Sequence, residues 1–408
     1  MAANSLSVRC CIAGGGPAGI MLGLLLARAG VEVLVLEKHA DFLRDFRGDT
    51  IHPSTLEVMH ELGLLEDLLK LPHTKAPRLN AHIGDLELTV ADFTHLPTHC
   101  RFLAFMPQWD FLNFLAEWGA GYPKFRLLMR TEVTGLIEEA GRVVGLRATT
   151  PDGPLEVRAD LVVGADGRNS AVRALAGLHV EELGAPMDVL WFRLSRRSGD
   201  PEEPMGRFDA GRIFIMLYRG AYWQCGFVIP KGSLVQLQER GLAAFQASIA
   251  SIAPFAADRT GELTDWDAVK LLTVRVDRLL RWYSPGLLCI GDAAHAMSPI
   301  GGVGINLAIQ DAVAAANLLA DPLRSGRLAT EHLRLVQRSR EWPTRLTQRM
   351  QVIIQNRVIK RVLGTGERLP LPRSIRFLAR FPFLARIPAR LIGMGFRPEH
   401  VRTGERTC

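Results

Sequence analysis

The stretch Val8-Arg-Cys-Cys-Ile-Ala-Gly-Gly-Gly-Pro-Ala-Gly19 decides the fold of this chain of 408 residues. Its apolar first half predicts a buried strand from Val8 to Ala13, and the glycines that follow predict a tight turn. The next apolar residues predict a helix from Pro17 to about Ala29. A second predicted strand, Val31–Leu36, ends at Glu37, 18 residues after the last glycine of the turn. This order of strand, glycine turn, helix and acidic strand end predicts a dinucleotide-binding unit.

Each residue of the turn has a physical role in such a unit. Gly14 permits the tight turn, Gly16 lets the backbone approach a pyrophosphate, and Gly19 allows the helix to pack closely on the strand. The helix N-terminus offers unbonded N–H groups to phosphate, and the Glu37 carboxylate can accept hydrogen bonds from a ribose. The residues predicted to contact the dinucleotide here are Gly14, Gly16, Pro17, Ala18, Gly19, Glu37 and Lys38.

The composition is that of an ordinary globular protein. Hydrophobic residues make up 48% and charged residues 22%, which is enough to form a sizeable core. No signal peptide precedes the first strand, and no run of about 18 apolar residues is uninterrupted, so we expect a cytoplasmic protein without a membrane span. The six cysteines form no Cys-x-x-Cys pair, which argues against a disulfide framework or a metal site.

The order of elements predicts an α/β fold made of two interleaved domains. Residues 1–175 are typical of a Rossmann-type dinucleotide-binding domain, and residues 286–320 return to it with another strand, a Gly-Asp turn and a helix. Residues 176–285 contain several strands rich in aromatic residues and then one helix, which predicts an inserted antiparallel sheet that binds substrate. Residues 321–408 form the last region, which is helical and basic.

The positive charge of the chain is concentrated in this last region. Residues 321–408 contain 19 Lys and Arg against 6 Asp and Glu, whereas the whole chain has a formal net charge of +7. Three interpretations are open: a helical cap that packs on both domains, an amphipathic surface for an anionic membrane, and a dock for an acidic carrier protein. No nucleic-acid-binding motif accompanies the arginines, so we expect no nucleic-acid partner.

Two further segments end a strand in a turn that contains aspartate and glycine. Asp160-Leu-Val-Val-Gly-Ala-Asp-Gly-Arg-Asn-Ser-Ala-Val-Arg173 places Asp166 at the strand end, where it can hold a ribose or a loop that Arg173 braces. The second segment is Gly286-Leu-Leu-Cys-Ile-Gly-Asp-Ala-Ala-His-Ala-Met-Ser-Pro-Ile-Gly-Gly-Val-Gly-Ile-Asn306. Its Asp292 can bond sugar-alcohol hydroxyls, and the helix start that follows can direct N–H groups at an electron-rich ring.

Together, in this order, the three motifs resemble the fingerprints of the class A flavin-dependent aromatic monooxygenases, the p-hydroxybenzoate hydroxylase-like family. The resemblance covers about residues 8–320 and implies FAD as the cofactor, with NADPH or NADH as a transient co-substrate. It also implies that reduced FAD reacts with O2 to form a C4a-hydroperoxyflavin, which hydroxylates an aromatic or polycyclic hydrophobic small molecule. A monomer and a homodimer are both compatible with it.

The same resemblance implies cofactor roles for individual residues. The first motif would hold the ADP half of FAD. A looser match places Arg47-Gly48 near the flavin, and Gln108, at a helix start, near the phosphates or the ribityl chain. Residues 301–306 would lie along the isoalloxazine. The remaining implied FAD contacts are Asp166, Gly167, Gly291, Asp292, Pro299, Gly301, Gly302, Gly304, Ile305 and Asn306.

The substrate pocket is expected between the aromatic-rich sheet and the flavin. Because side chains alternate along a strand, only about half of the aromatic residues should face that pocket. The predicted wall residues are Phe192, Phe214, Met216, Tyr218 and Trp223, taken from a wider set that also contains Trp191, Tyr222 and Phe227.

Polar residues near this pocket have both a functional and a structural interpretation. His52 is the candidate catalytic residue because it follows the Arg-Gly pair closely, and the alternative is a histidine that only hydrogen-bonds a loop. His295 is interpreted as structural. Arg193 and Arg207 could bind an acidic substrate group, although arginines on the surface of strands are common.

Other functions on the same scaffold stay open. The Trp-x-Trp-x-Ile-Pro signature of flavin-dependent halogenases is absent, which argues against halogenation. A flavin-dependent reductase, an epoxidase and a Baeyer-Villiger oxygenase would all use the same cofactor site. A protein that binds flavin without catalysis is the alternative from a different functional class.

Overall fold

The computed structural model describes residues 4–43, 50–84, 86–201, 204–209, 211–364 and 380–406. Arg47 and Gly48, two of the implied flavin contacts, lie outside the described residues. Within these ranges the strands form four sheets, of eight, seven, three and two strands. Helices and two large sheets in one chain confirm the predicted α/β class.

The eight-stranded sheet forms the centre of the dinucleotide-binding domain. Its strands are β1 (Asn4–Ala13), β2 (Val33–Leu36), β8 (Phe125–Leu128), β9 (Glu132–Glu139), β10 (Arg142–Thr150), β11 (Gly153–Gly164), β19 (Tyr283–Ser284) and β20 (Leu287–Cys289). They are hydrogen-bonded in the order β19-β20-β11-β1-β2-β8, and β10 and β9 continue from β11. Every residue of β2 is buried, as expected for a parallel strand covered on both faces.

Long helices cover this sheet. α1 (Pro17–Arg28) packs against both α4 (Gln108–Ala120) and α8 (Gly304–Arg324), and α8 packs in turn against α9 (Thr330–Ile354). The segment Ile300–Arg324 is long and apolar enough to cross a membrane, but 83% of its apolar window is buried inside the fold, as in a core helix. The shorter helices of this domain are α2 (Pro53–Glu61), α3 (Leu65–Leu68) and α5 (Ala171–Leu175).

The seven-stranded sheet is the second structural layer. Its strands are β5 (Arg78–Ile83), β6 (Leu86–Asp92), β13 (Met187–Ser195), β14 (Met205–Asp209), β15 (Arg212–Tyr218), β16 (Tyr222–Pro230) and β17 (Lys270–Leu272). The strand order is β17-β13-β16-β15-β14-β5-β6. The hairpin β5–β6 corrects the predicted division, because it comes from within residues 1–175 and yet pairs with β14 in parallel. The alternation of apolar and polar residues along this hairpin predicts strands, but it does not identify the sheet that these strands join.

One face of the second sheet is covered by helices. α7 (Leu242–Ile252) follows α6 (Leu234–Glu239), and the predicted single helix is broken at Gly241, which has a φ of +87°. Phe245 of α7 is fully buried and packs edge-on against Phe192 and Phe227 of the sheet, and its ring also stacks on Trp266. This aromatic core holds the sheet and its helix together.

Smaller elements complete the structure. The three-stranded sheet contains β3 (Thr50–Ile51), β4 (Thr74–Ala76) and β7 (Leu103–Phe105), and the two-stranded sheet contains β12 (Val180–Glu182) and β18 (Asp277–Leu279). Short 3-10 helices lie at Pro254–Glu262, Trp266–Ala268, Gly291–Ala293, Ile300–Gly302 and Pro382–Ala385.

The basic C-terminal region contacts both domains. After α9 the chain forms a π-helical turn, Gln355–Ile359, then α10 (Lys360–Leu363) and, further on, α11 (Arg386–Gly393). α9 packs on α8 of the first domain, whereas α10 packs on β15 and β16 of the second sheet. This is the packing that the helical-cap interpretation predicts.

Truncation of the aromatic core should measure how strongly α7 holds the second sheet. We expect Phe245→Ala to lower the free energy of unfolding by about 3 to 5 kcal/mol, because it leaves a cavity among packed rings. Phe383→Ala is the matched control, since that side chain is 59% exposed and should change stability by less than about 0.5 kcal/mol. Chemical denaturation of both variants checks this, and equal effects would contradict it.

Candidate functional site

The three motifs meet at one edge of the central sheet. β1 pairs in parallel with β11, and β11 with β20, so that Ala13, Gly164 and Cys289 lie side by side at the strand ends. The turn after each strand therefore begins from neighbouring positions. A Cβ added to Gly291 would lie 3.0 Å from the Cβ of Ala18, which shows how closely the third turn approaches the start of α1.

The glycine turn has the geometry that its sequence predicts. Gly14 has a φ of +105°, and a Cβ there would lie 2.7 Å from the Cα of Asp166. A Cβ on Gly19 would collide with the carbonyl oxygen of Gly14, so α1 can lie against the turn only because this position is glycine. Both positions require glycine for reasons internal to the protein.

Gly16 differs from the other two glycines of the motif. The nearest atom to a Cβ on Gly16 is the carbonyl oxygen of Ala165, at 4.0 Å, and its φ of −74° suits any residue. No contact with the protein therefore requires glycine here. Gly16 caps α1 without a side-chain hydrogen bond, and the N–H groups of the first turn have no carbonyl partner within the helix. The open space before this helix end fits a pyrophosphate.

Glu37 lies beside this space. Its carboxylate is almost buried and accepts hydrogen bonds from the backbone N–H of Gly15 (2.9 Å) and of His39 (3.1 Å). The side chain therefore fixes the glycine turn and stands at the place where a ribose would follow the pyrophosphate. Lys38 is exposed.

The second motif supplies a buried polar atom that lacks a partner. Asp166 accepts a hydrogen bond from the backbone N–H of Val172 through Oδ2 (3.1 Å), but its buried Oδ1 has no hydrogen-bond partner among the described residues. A buried acceptor of this kind costs free energy unless a ligand satisfies it. Gly167, next in the chain, has a φ of +85° and nothing within 4 Å of an added Cβ.

Arginines brace the second and third motifs, as the sequence predicts for Arg173. Its buried guanidinium donates to the carbonyl oxygens of Arg168 and Ala293 and to the carboxylate of Asp277. Arg168 lies 3.6 Å from the carboxylate of Asp292 in an ion pair. The Asp292 side chain stays partly exposed.

A buried carboxylate joins the third motif to α8 and α9. Asp311 accepts hydrogen bonds from the N–H of Gly291 (3.0 Å), from His295 Nε2 (2.6 Å) and from Arg340 Nε (3.1 Å). Burial opposes ionisation of this group, yet His295, Arg340 and the Gly291 N–H together hold the pKa of Asp311 below its ordinary value. His295 therefore has the structural role that was predicted for it.

His52 has the geometry of the alternative interpretation, a histidine that hydrogen-bonds a loop, and its catalytic role stays a prediction. The ring is fully buried, with Nδ1 2.7 Å from the carbonyl oxygen of Ile392 and Nε2 3.0 Å from that of Gly302. Both nitrogens face backbone carbonyl oxygens, and the neutral ring can donate a hydrogen bond to only one of them. Burial lowers the pKa of His52 although both carbonyls favour the charged form. His52 links the loop of the third motif to α11.

The loop of the third motif has two consecutive glycines in the left-handed region, Gly301 (φ +77°) and Gly302 (φ +63°). Gly304 then begins α8, and nothing lies within 4 Å of a Cβ added there. Asn306 points away from this opening, since its buried Oδ1 accepts hydrogen bonds from the hydroxyls of Ser54 (2.6 Å) and Thr55 (2.9 Å). Its role is to tie α8 to α2, in addition to any cofactor contact through its backbone.

Three glutamines of the C-terminal region hold the same loop and have no counterpart in the prediction. Gln351 bonds the backbone of Ser298 through both amide atoms (3.2 and 3.0 Å) and the carbonyl of Ile300 (2.9 Å). Gln355 donates to the hydroxyl of Ser298, and Gln348 to the carbonyl of Ala296. In the sequence these residues look like the solvated side of an amphipathic helix, and only their helical spacing of three to four could have identified them.

The predicted substrate walls lie on the face of the second sheet that α7 covers. Phe192, Phe214, Met216 and Trp223 are fully buried in the core under α7, and Tyr218 packs on the same cluster. The opposite face carries Trp191, with Ile215 and Gly226 beside it in register. Trp191 packs in a cluster with Ile300 of the third-motif loop. The aromatic residues predicted as pocket walls are the ones that form the core between the sheet and α7.

Gln108, Pro299 and Ile305 occupy the elements that were predicted for them. Gln108 is the first residue of α4, Pro299 precedes the glycine loop and Ile305 is the second residue of α8. Their contact with a cofactor stays a prediction.

The sequence of the chain matches a known protein family. A family model described as an FAD binding domain matches residues 7–349. The chain belongs to this family. The open helix end at Gly16 and the unsatisfied Oδ1 of Asp166 fit a dinucleotide cofactor of this kind.

Several proteins that are similar to the chain are named monooxygenases. The chain is similar to the 6-methylpretetramide 4-monooxygenase of Streptomyces rimosus, with 35% identity over 378 residues that cover 91% of the chain and 89% of the relative. It is 29% identical to the 3-demethoxyubiquinol 3-hydroxylase of Escherichia coli, over 76% of the chain and 79% of the relative. The chain is an FAD-dependent oxidoreductase of the monooxygenase class.

Solved structures agree with this assignment. The anhydrotetracycline hydroxylase of Streptomyces rimosus superposes with a TM-score of 0.74 at 25% identity, over 95% of the chain and 76% of that structure. The p-nitrophenol 4-monooxygenase of Pseudomonas putida has a TM-score of 0.76 at 18% identity, over 97% and 100%. At 18% identity, the likeness to the p-nitrophenol 4-monooxygenase shows a shared fold alone.

Substitution of Gly16 should separate cofactor binding from folding. We expect Gly16→Val to lose most bound FAD, because its side chain would enter the space for the pyrophosphate, while the Tm of the FAD-free variant stays within about 2 °C of that of FAD-free wild type. Gly261→Val is the matched control, since Gly261 is exposed and has nothing within 4 Å of an added Cβ. Flavin absorbance per chain and thermal unfolding measure both effects. Normal FAD content in Gly16→Val would show that this loop is not the cofactor site.

Replacement of Asp311 should reveal its stabilising role and the pH dependence of that role. Asp311→Asn removes the buried charge that faces both Arg340 and His295, while Glu399 stays 3.7 Å from Arg340, and should cost about 3 kcal/mol at pH 7. Because the pKa of Asp311 is depressed below 3.8, its contribution is complete above that pH and is lost as pH falls further. Urea unfolding of both proteins should show a difference that is constant from pH 7 to 5 and shrinks below about pH 4. A difference that grows towards acid pH would contradict this account.

Proposed function

We propose that this chain uses NAD(P)H and O2 to hydroxylate a flat polycyclic aromatic small molecule. The observation that carries the proposal is the meeting of three motifs around the open helix end at Gly16, within a family of FAD-binding monooxygenases. The similar enzymes support the substrate class, because one is named for 6-methylpretetramide and another for anhydrotetracycline.

Different residues of the chain would bind different parts of FAD. Gly16 and the start of α1 would hold the pyrophosphate, and Glu37 would bind the adenosine ribose. Asp166 and Asp292 would bind hydroxyl groups in the central part of the FAD molecule. The loop at Gly301 and the start of α8 would lie beside the flavin ring, where helix N–H groups favour negative charge. When bound, FAD supplies the redox and oxygen chemistry. The protein binds and orients the two partners and excludes water.

The pocket wall is expected on the face of the second sheet that carries Trp191. The indole lies over Gly226, where an added Cβ would be 3.1 Å from the ring. Ile215 continues this apolar surface, and Leu217 packs in the cluster that contains Ile392 of α11. A dry apolar wall suits the reaction, since water at the reactive oxygen would divert reducing equivalents to peroxide.

Turnover with labelled oxygen tests the reaction. The FAD-loaded protein is mixed with NADPH or NADH, 18O2 and a panel of polycyclic phenols. We expect an active compound to accelerate oxidation of the nicotinamide and to gain 18O. Product that forms equally well without O2 would show the flavin-dependent reductase instead, and labelled epoxide or lactone would show the other oxygenation outcomes.

A pair of neighbouring substitutions tests the face of the sheet. Trp191→Ala should weaken binding of an active polycyclic compound to the oxidised protein about tenfold, because it removes an aromatic surface. Phe192→Leu is the matched control, because the Phe192 side chain lies in the core under α7. This substitution should leave the affinity for the polycyclic compound unchanged. Equilibrium titration followed by flavin absorbance measures both. The opposite ranking would place the pocket on the other face.

The cytoplasmic location stays a prediction.

A further inference from the structure

A cleft with a volume of about 540 Å³ lies between α9 and the residues that lead into β19. None of the implied FAD contacts lines it, and neither does any residue of the Trp191 face. Four arginines surround the opening: Arg281, Arg334, Arg338 and Arg345. A space of this size accommodates a small-molecule ligand.

The charge of the cleft is positive after ion pairs are taken into account. Arg334 pairs with Glu331, and Arg345 with Glu341 at 2.8 Å. Both arginines are about half exposed, so these pairs are weak and can be exchanged for a ligand. Arg281 and Arg338 make no ion pair with any carboxylate in the parts of the chain that the structure describes. Two guanidinium charges are therefore available for an anion.

Aromatic side chains form the rest of the surface. Tyr283 is buried at the base, and the guanidinium of Arg281 lies 4.6 Å from the centre of its ring. Trp342 stands at the rim with 56% of its surface exposed, in edge contact with Phe396 on one side. A large exposed indole beside unpaired cations is suited to stacking on a planar ring.

The base of the cleft is held in place by one side chain. Gln337 of α9 accepts a hydrogen bond from the backbone N–H of Trp282 and donates one to the carbonyl of Leu280, both at 3.0 Å. These bonds fix the segment that carries Arg281 and Tyr283 against the helix that carries Arg338 and Trp342. The cationic and aromatic groups are thus positioned before any ligand arrives.

We propose that this cleft binds an adenosine phosphate, with the base stacked on Trp342 and the phosphates bound by Arg281 and Arg338. Guanidinium groups bind phosphate through paired N–H donors, and a base offers the planar ring that an exposed indole accepts. The site is separate from that of FAD, whose phosphates belong at Gly16. The ligand chemistry is shared by free nucleotides and by the adenosine end of NAD(P)H.

Calorimetric titration of the FAD-loaded protein tests the site, with ADP and NADP+ as probes. Bound FAD occupies the dinucleotide site, NADP+ cannot reduce it, and flavin absorbance of each variant verifies that it is loaded. We expect ADP to bind the wild type, and Arg338→Ala to weaken binding about tenfold. Arg349→Ala is the matched control: it removes the same charge from an exposed position of α9 outside the cleft and should change affinity less than about twofold.

The outcomes separate the two sources of ligand and the proposed function. Loss of both ADP and NADP+ binding in Arg338→Ala assigns the cleft to their shared adenosine end, and loss of ADP binding alone assigns it to free nucleotides. No ADP binding to the wild type, or equal weakening in Arg338→Ala and Arg349→Ala, would overturn the proposal. The measurement involves no turnover, so its failure leaves the hydroxylation proposal untouched.

Discussion

The parallel register of three strands is the constraint on which the cofactor site depends. Ala13, Gly164 and Cys289 come from distant parts of the sequence and lie side by side because β1 pairs with β11 and β11 with β20. Each strand ends at the same edge, so each following turn presents its polar groups to the same space. The inserted sheet, the C-terminal helices and the substrate wall are all placed relative to this edge.

The glycines of the first motif maintain this arrangement for two different reasons. Gly14 and Gly19 are required by the protein itself, since a Cβ at either would meet backbone atoms. Gly16 is not, because its neighbours leave a Cβ free space. A position where the fold tolerates a side chain and the sequence has glycine is best explained by a ligand that approaches the backbone there. The same turn thus serves both folding and binding.

Local signals in the sequence predict the dinucleotide domain well. The roles of Gly14, Gly19 and Arg173 are set by the strand, turn and helix to which each residue belongs. The faces of the second sheet could not be assigned in this way. Alternation identifies two sets of residues but does not say which one meets α7, so Phe192 was predicted as a pocket wall although it packs in the core under α7. The buried contacts of Gln351 depend on where α9 packs, which its composition does not reveal.

The arginine-rich C-terminal region has more than one physical role. Arg340 is buried and binds Asp311, so it belongs to the support of the third motif, whereas Arg281 and Arg338 line an exposed cleft. Net charge alone cannot separate these roles, since each depends on which side of α9 the residue occupies.

The central claim is that three distant turns form one FAD site. Its most direct measurement is the amount of flavin retained per chain after the folded protein is incubated with FAD and desalted. The account predicts a yellow protein with about one FAD per chain, as one pyrophosphate site at one helix end requires. Folded protein that stays colourless would contradict it.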